Sequence, residues 1–303
     1  MVSGYAHPSY AESLSESGTP FELRRCGGWV LKRKIPGYQD YDAMGCYPLF
    51  SCQDWSQLSA DLEDIASELV SLSAVPDPFG TYSDADLKRS FRDIVRPFKQ
   101  HFIVDLSHPI DETVSSHHRH YARKALRKIV AEECEKPSRF INDWADLYAI
   151  LVRRHRIQGL LAFSRFSFSR QLQVPGIVMF RAVERQATVG MTLWYIQGDV
   201  GYWHLSAFSA RGYQIRASYA LMWHSIEHLA TRNKLRWLDL GAGAGLTSRE
   251  DDLSRFKQGW STGTRTAFFC GRIFDHARYE EITKTRSIFD TDYFPAYRKG
   301  EFG

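Results

Sequence analysis

Long apolar runs are missing from this sequence of 303 residues: nowhere do about 18 apolar residues follow one another, so no segment reads as membrane-spanning. The first ten residues also lack the basic start and apolar stretch of a secretory leader, and the chain is expected in the cytoplasm. Cysteine is sparse. The five present (Cys26, Cys46, Cys52, Cys134, Cys270) are scattered and odd in number, with no C-x-x-C pair, which points to reduced thiols and to no metal. A dominant charge is absent too. The 39 Lys and Arg against 35 Asp and Glu leave +4, too balanced for a dedicated nucleic-acid coat. What is plentiful is core-forming material. With 44% hydrophobic and 14% aromatic residues, a chain of this length builds one large core or two smaller ones.

Residues 1–20 are rich in Ser, Gly, Pro and Glu without periodicity, and are expected to form an irregular arm. Residues 21–25 and 29–34 flank Gly27-Gly28, a pair suited to a tight hairpin. Asp54 precedes Trp55, Leu58, Leu62, Ile65, Leu69 and Leu72, whose spacing predicts one capped helix. Leu87, Phe91 and Ile94 predict a shorter helix stopped by Pro97, followed by a strand over 102–106. Residues 115–135 read as a basic helix, with Arg119, Arg123 and Arg127 four apart beside Lys124 and Lys128. Phe140 to Leu151 continues with a helical stripe.

The second half changes character. Runs at 177–183, 189–196 and 200–208 read as an antiparallel meander. A helix follows through Ile215, Tyr219, Met222, Ile226 and Leu229, with Asn233 as its terminator, then a strand at 235–240. Ser248 with Asp251 resembles a capping box for a helix through Lys257, and 264–270 supplies a last strand. The order β-β-β-α-β-α-β over about a hundred residues is the most informative feature of the sequence.

Four constellations invite a chemical reading. The stretch Leu238-Asp239-Leu240-Gly241-Ala242-Gly243-Ala244-Gly245 imitates the glycine motif of S-adenosylmethionine-dependent methyltransferases. It comes too late, because 303 − 240 leaves 63 residues for the rest of a doubly wound sheet. His224-Ser225-Ile226-Glu227-His228 matches an inverted zinc-protease pattern, but core packing of the same helix explains it better. His117-His118-Arg119-His120 opens the basic helix, read as a solvated face or a phosphate contact. Finally, residues 202–219 carry a strand into a polar loop and a long helix. The free N–H groups of that helix end, with Arg211 and Arg216 beside them, suit an anionic group such as pyrophosphate.

His204-Leu205-Ser206-Ala207, Gly212-Tyr213, residues 217–223, Leu238-Asp239-Leu240-Gly241 and Arg255-Phe256-Lys257-Gln258-Gly259-Trp260, taken in that order, resemble the C-terminal half of Fem-type GNAT proteins. The resemblance spans roughly 98–271 and is looser toward the N-terminus. It implies an α+β fold of tandem GNAT-like lobes, with mixed, largely antiparallel sheets flanked by helices. The lobes are expected at 21–135, degenerate, and at 136–303, donor-binding.

It further implies amide formation: an N-acyltransferase moving an acyl or aminoacyl group from an activated donor, acyl-CoA or aminoacyl-tRNA, to a small-molecule or peptide amine. The donor co-substrate is expected at Ser206, Arg211, Gly212, Tyr213, Arg216 and Ser218. His204 is the expected acceptor of the amine proton, Lys257 the stabiliser of the oxyanion or of a donor phosphate, and Asp239 an orienting group. Trp203, Tyr213 and Trp260 shape the pocket. Arg211-Gly212 lacks the full glycine loop of CoA-dependent enzymes, which keeps an aminoacyl-tRNA-dependent Fem-type enzyme, with tRNA as partner, as the alternative. From other classes, a methyltransferase and a non-catalytic GNAT-like binding module stay open.

Overall fold

The computed structural model describes residues 2–232, 235–244, 251–286 and 291–301. The segment expected as an irregular arm contains helix α1 (Pro8–Ser13), with Tyr10 and Ala11 buried. Strands β1 (Thr19–Leu23) and β2 (Gly28–Lys34) form the expected antiparallel hairpin, with Gly27 at φ 64° in its turn. Strand β3 (Tyr41–Gly45) extends it.

The stripe from Trp55 to Leu72 is not one helix. Helix α2 (Leu58–Asp64) covers its middle, and β4 (Ser71–Ala74) pairs in parallel with β3. Leu72 reaches the core as its periodicity required, but neighbouring strands satisfy the backbone around it, an override of local pattern by the sheet. Helix α3 (Asp84–Ser90) starts at a Ser83–Asp86 capping box and ends before Ile94. Pro97 therefore does not stop a helix. It lies inside β5 (Ile94–Asp105), where the extended backbone that proline imposes on its predecessor is already in place.

After the short α4 (Ile110–Thr113), the basic helix α5 (Ser116–Leu126) is shorter than expected. The chain turns, and β6 (Val130–Glu133) pairs antiparallel with β7 (Ile177–Glu184), reinforced by an Arg181–Glu132 ion pair at 2.6 Å. Between them lie α6 (Ile141–His155) and α7 (Arg165–Gln171). Strands β8 (Ala187–Gln197) and β9 (Val200–Phe208) complete the meander. Helices α8 (Ala210–Gln214) and α9 (Ala217–Ala230), strand β10 (Trp237–Asp239), helix α10 (Asp252–Gln258), strand β11 (Gly263–Ile273) and helix α11 (His276–Thr285) follow. Asn233 and Ser248, read as terminator and cap, lie outside the described residues; α10 is capped by Asp251 itself, which accepts from the Ser254 N–H.

Two compact units divide the chain. The first takes Met1–Gly4, Lys99–Ile157 and Ser164–Thr266; the second takes Tyr5–Phe98, Gln158–Phe163 and Ala267–Gly303. The sequence boundary at 135/136 is not where they separate, because α5 packs on α9 and β6 on β7. In the first unit the order is β5-β10-β9-β8-β7-β6, antiparallel except for the parallel pair β9–β10. In the second, β1-β2-β3-β4 also contains one parallel pair, β3–β4. Each unit thus contains a parallel strand pair joined through a helical connection, in a largely antiparallel sheet, as expected of an α+β fold of tandem lobes. The first core gathers Phe180, Trp194, Leu221, Ile226, Leu229 and Leu238, and each such buried side chain contributes about 1.5–3 kcal/mol.

Candidate active site

Strands β9 and β10 share only three residue pairs, the last being Tyr202 with Asp239. Beyond it β9 runs on to Phe208, whereas the other segment stays with β5, its partner on the opposite edge: Leu240 donates to the Phe102 carbonyl and Phe102 donates to that of Gly241. Gly241 sits at φ 72°, a region that favours glycine.

Charged groups converge on this parting. The buried Asp239 carboxylate accepts from the Gly241 N–H at 2.7 Å and lies 3.0 and 2.9 Å from His101 Nδ1. Lys257, only 7% exposed, donates from Nζ to the Ala242 carbonyl at 2.6 Å and sits 5.1 Å from the centre of the Trp203 ring. Burial pushes its ammonium down to about 8, against the pull of Asp239 and with the repulsion of Lys99. Lys99 reaches the next carbonyl, that of Gly243, at 3.3 Å, and burial lowers its pKa as well. Asp251 joins the turn to α10 by accepting from Ala244 N–H at 2.7 Å.

An aromatic run leads from Lys257 toward the start of α9. Trp203 lies 6.1 Å from Phe256, Phe256 5.1 Å from Tyr219, and Tyr219 5.5 Å from Tyr121. Arg216, in the left-handed conformation at the N-cap of α9, places its guanidinium 3.4 Å from the Tyr121 ring centre. His118, expected on a solvated face, is buried between Ser115 Oγ (2.9 Å) and the Phe256 carbonyl (3.0 Å), with Trp260 edge-on.

The structure brings Lys257 and Asp239 together and places the other expected residues around them unequally. His204 Nε2–H donates to Gln171 Oε1 at 3.1 Å, its ring packs on Tyr195, and burial pushes its pKa down to about 3. Ser206 donates to Thr192 and accepts from the Trp203 indole. Arg211 is paired with Glu184 at the surface, and Tyr213 lies beneath Arg154. Gly212 is a packing requirement: a Cβ there would stand 2.1 Å from the Val189 carbonyl oxygen. Ser218 lies half-buried in the first turn of α9. His224 and His228 pack on Phe180, and His228 pairs with Glu133 at 2.8 Å. Among the described residues no three metal-ligating side chains form a cluster.

Two site residues escaped the sequence reading. Lys99 and His101 alternate with Ile103 along β5, but the strand was expected to begin only at Phe102.

Residues 116–258, just under half of the chain, match the family model described as acetyltransferase (GNAT) domain. Fold and match together define the class, a chain built on the GNAT fold. Among solved structures, FemX has a TM-score of 0.65 at 14% identity, over 90% of this chain and 93% of that one. L-PGS from Bacillus licheniformis has 0.59 at 14%, over 94% and 98%. The C-terminal domain of a protein assigned as a lysylphosphatidylglycerol synthetase from Agrobacterium fabrum has 0.61 at 12%, over 93% and 92%. At these identities the likeness is one of fold, and the fold is Fem-like. No curated protein matches the chain.

Proposed function

We propose that the protein is an N-acyltransferase that moves an acyl or aminoacyl group from an activated donor to an amine of a small molecule or peptide. The observation that carries this reading is a buried ammonium, Lys257, lodged against Trp203 where β9 and β10 part. A carbonyl seated beside β9 there would meet a fixed positive charge as its oxygen becomes an oxyanion, in surroundings where charge is poorly screened. The aromatic run from Trp203 to Tyr121 and the first turn of α9, with Arg216 and Ser218, suit the remainder of the donor and its phosphates. Gly212 and Ser206 serve this site by packing, Arg211 and Tyr213 from its margin, and His204 by supporting β9 through Gln171.

The donor is acyl-CoA or aminoacyl-tRNA, and the name of one fold neighbour puts a lysyl group among those to test. Thermal shifts with acetyl-CoA, lysyl-tRNA and S-adenosylmethionine test the reading directly. A donor at a hundred times its Kd stabilises by about 2.7 kcal/mol. We expect this from one of the first two, with amide product by mass spectrometry and with the shift reduced in Lys257→Met. A shift from S-adenosylmethionine alone refutes the proposal, and donor binding without turnover makes the protein a binding module.

A further inference from the structure

We infer that His101, held by Asp239, is the base that removes the proton from the acceptor amine as the amide bond forms. The inference rests on the acyl-transfer reading above and adds a catalytic residue to it.

An amine attacking an acyl carbonyl must lose a proton, and the group receiving it needs an available lone pair and a fixed orientation. His101 has both. Its Nδ1 faces the two Asp239 oxygens at 3.0 and 2.9 Å, so in the neutral ring Nδ1 carries the hydrogen and Nε2 offers the lone pair. Asp239 accepts as well from the Gly241 N–H, which fixes the carboxylate in turn. Among the described residues Nε2 has no hydrogen-bond partner, and the side chain keeps 11% of its surface open. Asp239 closes the last rung of β10, opposite Tyr202 on β9 and Ile103 on β5, and His101 stands two residues further along β5, past the point where β9 and β10 separate.

The other candidates are engaged elsewhere. His204, part-buried, gives Nε2–H to Gln171, while Lys257 gives its hydrogen to Ala242. The charged group that meets His101 is Asp239 on β10; Lys99 stands two residues before it on β5, and Lys257 of α10 acts on the same Asp239. Asp239, its hydrogen-bond partner, stabilises the imidazolium that forms when the proton arrives.

The step balances. The amine nitrogen bonds to the donor carbonyl carbon, an N–H proton passes to His101 Nε2, and the tetrahedral intermediate expels the thiolate or ribose oxygen. That leaving group takes the proton from the imidazolium, so acyl–X and amine become amide and H–X.

The test uses the full chain with acetyl-CoA or lysyl-tRNA and a mixture of ethanolamine, glycinamide and glucosamine, with amide read by mass spectrometry. For His101→Gln we expect kcat to fall about a hundredfold or more, with an unchanged thermal shift on donor binding. The acid-side decline of kcat/KM seen in the unsubstituted protein should disappear, and imidazole should restore part of the activity of His101→Ala. Asp239→Asn, which keeps the size of the side chain, should move the same acid limb to lower pH, and it carries the test if the His101 variants do not fold.

A folded His101→Gln with kcat within threefold of the original overturns the assignment. So does a loss of activity that imidazole does not rescue and that leaves the pH profile unaltered. If the unsubstituted protein forms no amide with either donor, the acyl-transfer reading itself fails and the dyad with it; amide formation indifferent to His101 removes only the dyad.

Discussion

Replacing Lys257 by methionine isolates the energetics of the buried ammonium. In the folded protein this amine titrates near 8, against an ordinary 10.5, chiefly because burial strips its charge of water. Between those two values the unfolded chain binds more protons than the folded one, so the stability owed to this residue rises with pH. At about 1.36 kcal/mol per unit, keeping the charge inside below pH 8 costs about 3 kcal/mol relative to the neutral amine. The informative comparison is therefore a pH series: urea unfolding of the original and Lys257→Met proteins at pH 7, 8.5 and 10, taking the difference at each. That difference should move in favour of the original by about 0.8 kcal/mol at pH 8.5 and about 2.5 kcal/mol at pH 10, relative to pH 7. A difference flat to within about 0.5 kcal/mol across the series, several times smaller than the shift implies, refutes the claim that the amine is desolvated. A movement in the opposite direction would mean that Asp239 outweighs burial.

His204 makes the complementary acid-side prediction. Its folded pKa of about 3 lies below the ordinary 6.5, so the unfolded chain takes up the proton first, and this residue should withdraw about 2 kcal/mol of stability between pH 7.5 and pH 5. Denaturant unfolding of His204→Gln, which keeps a donor for Gln171, should lack that share of the loss; an identical pH dependence would contradict it. Gly212→Ala places a methyl against the Val189 carbonyl oxygen and should destabilise by about 1–3 kcal/mol, read as a lower urea midpoint at unchanged slope. An unchanged midpoint would show that α8 can shift away from β8 freely.

Much of the first unit was legible in the sequence because its signals are local. The β-branched and aromatic runs of β7 to β9 are separated by turns, and α9 carries its apolar spacing within a single element. Lys257, Asp239 and Trp203 were within reach because a family pattern marks that region. What escaped depended on partners distant in the chain. Ser71–Ala74 continues a helical spacing yet becomes a strand because β3 and β11 lie on either side of it. His101 looks like any histidine before a strand until Asp239, 138 residues later, meets its ring. His118 reads as part of a basic run, and only the packing of Phe256 and Trp260 against it encloses the ring.

The turn after β10 has a polarity that no count of its glycines reveals. A phosphate-cradling loop aims amide hydrogens at an anion. Here two of those hydrogens, on Gly241 and Ala244, are given to Asp239 and Asp251, while the carbonyls of Ala242 and Gly243 face Lys257 and Lys99. Residues 241–244 thus form a cradle for cations supplied by the protein's own chain. A cofactor phosphate arriving at this turn would find two of its donors already claimed by carboxylates, so the likeness to a nucleotide-binding motif is more one of letters than of electrostatics. Incoming negative charge is instead drawn to the ammonium groups themselves, for which these carbonyls hold the place.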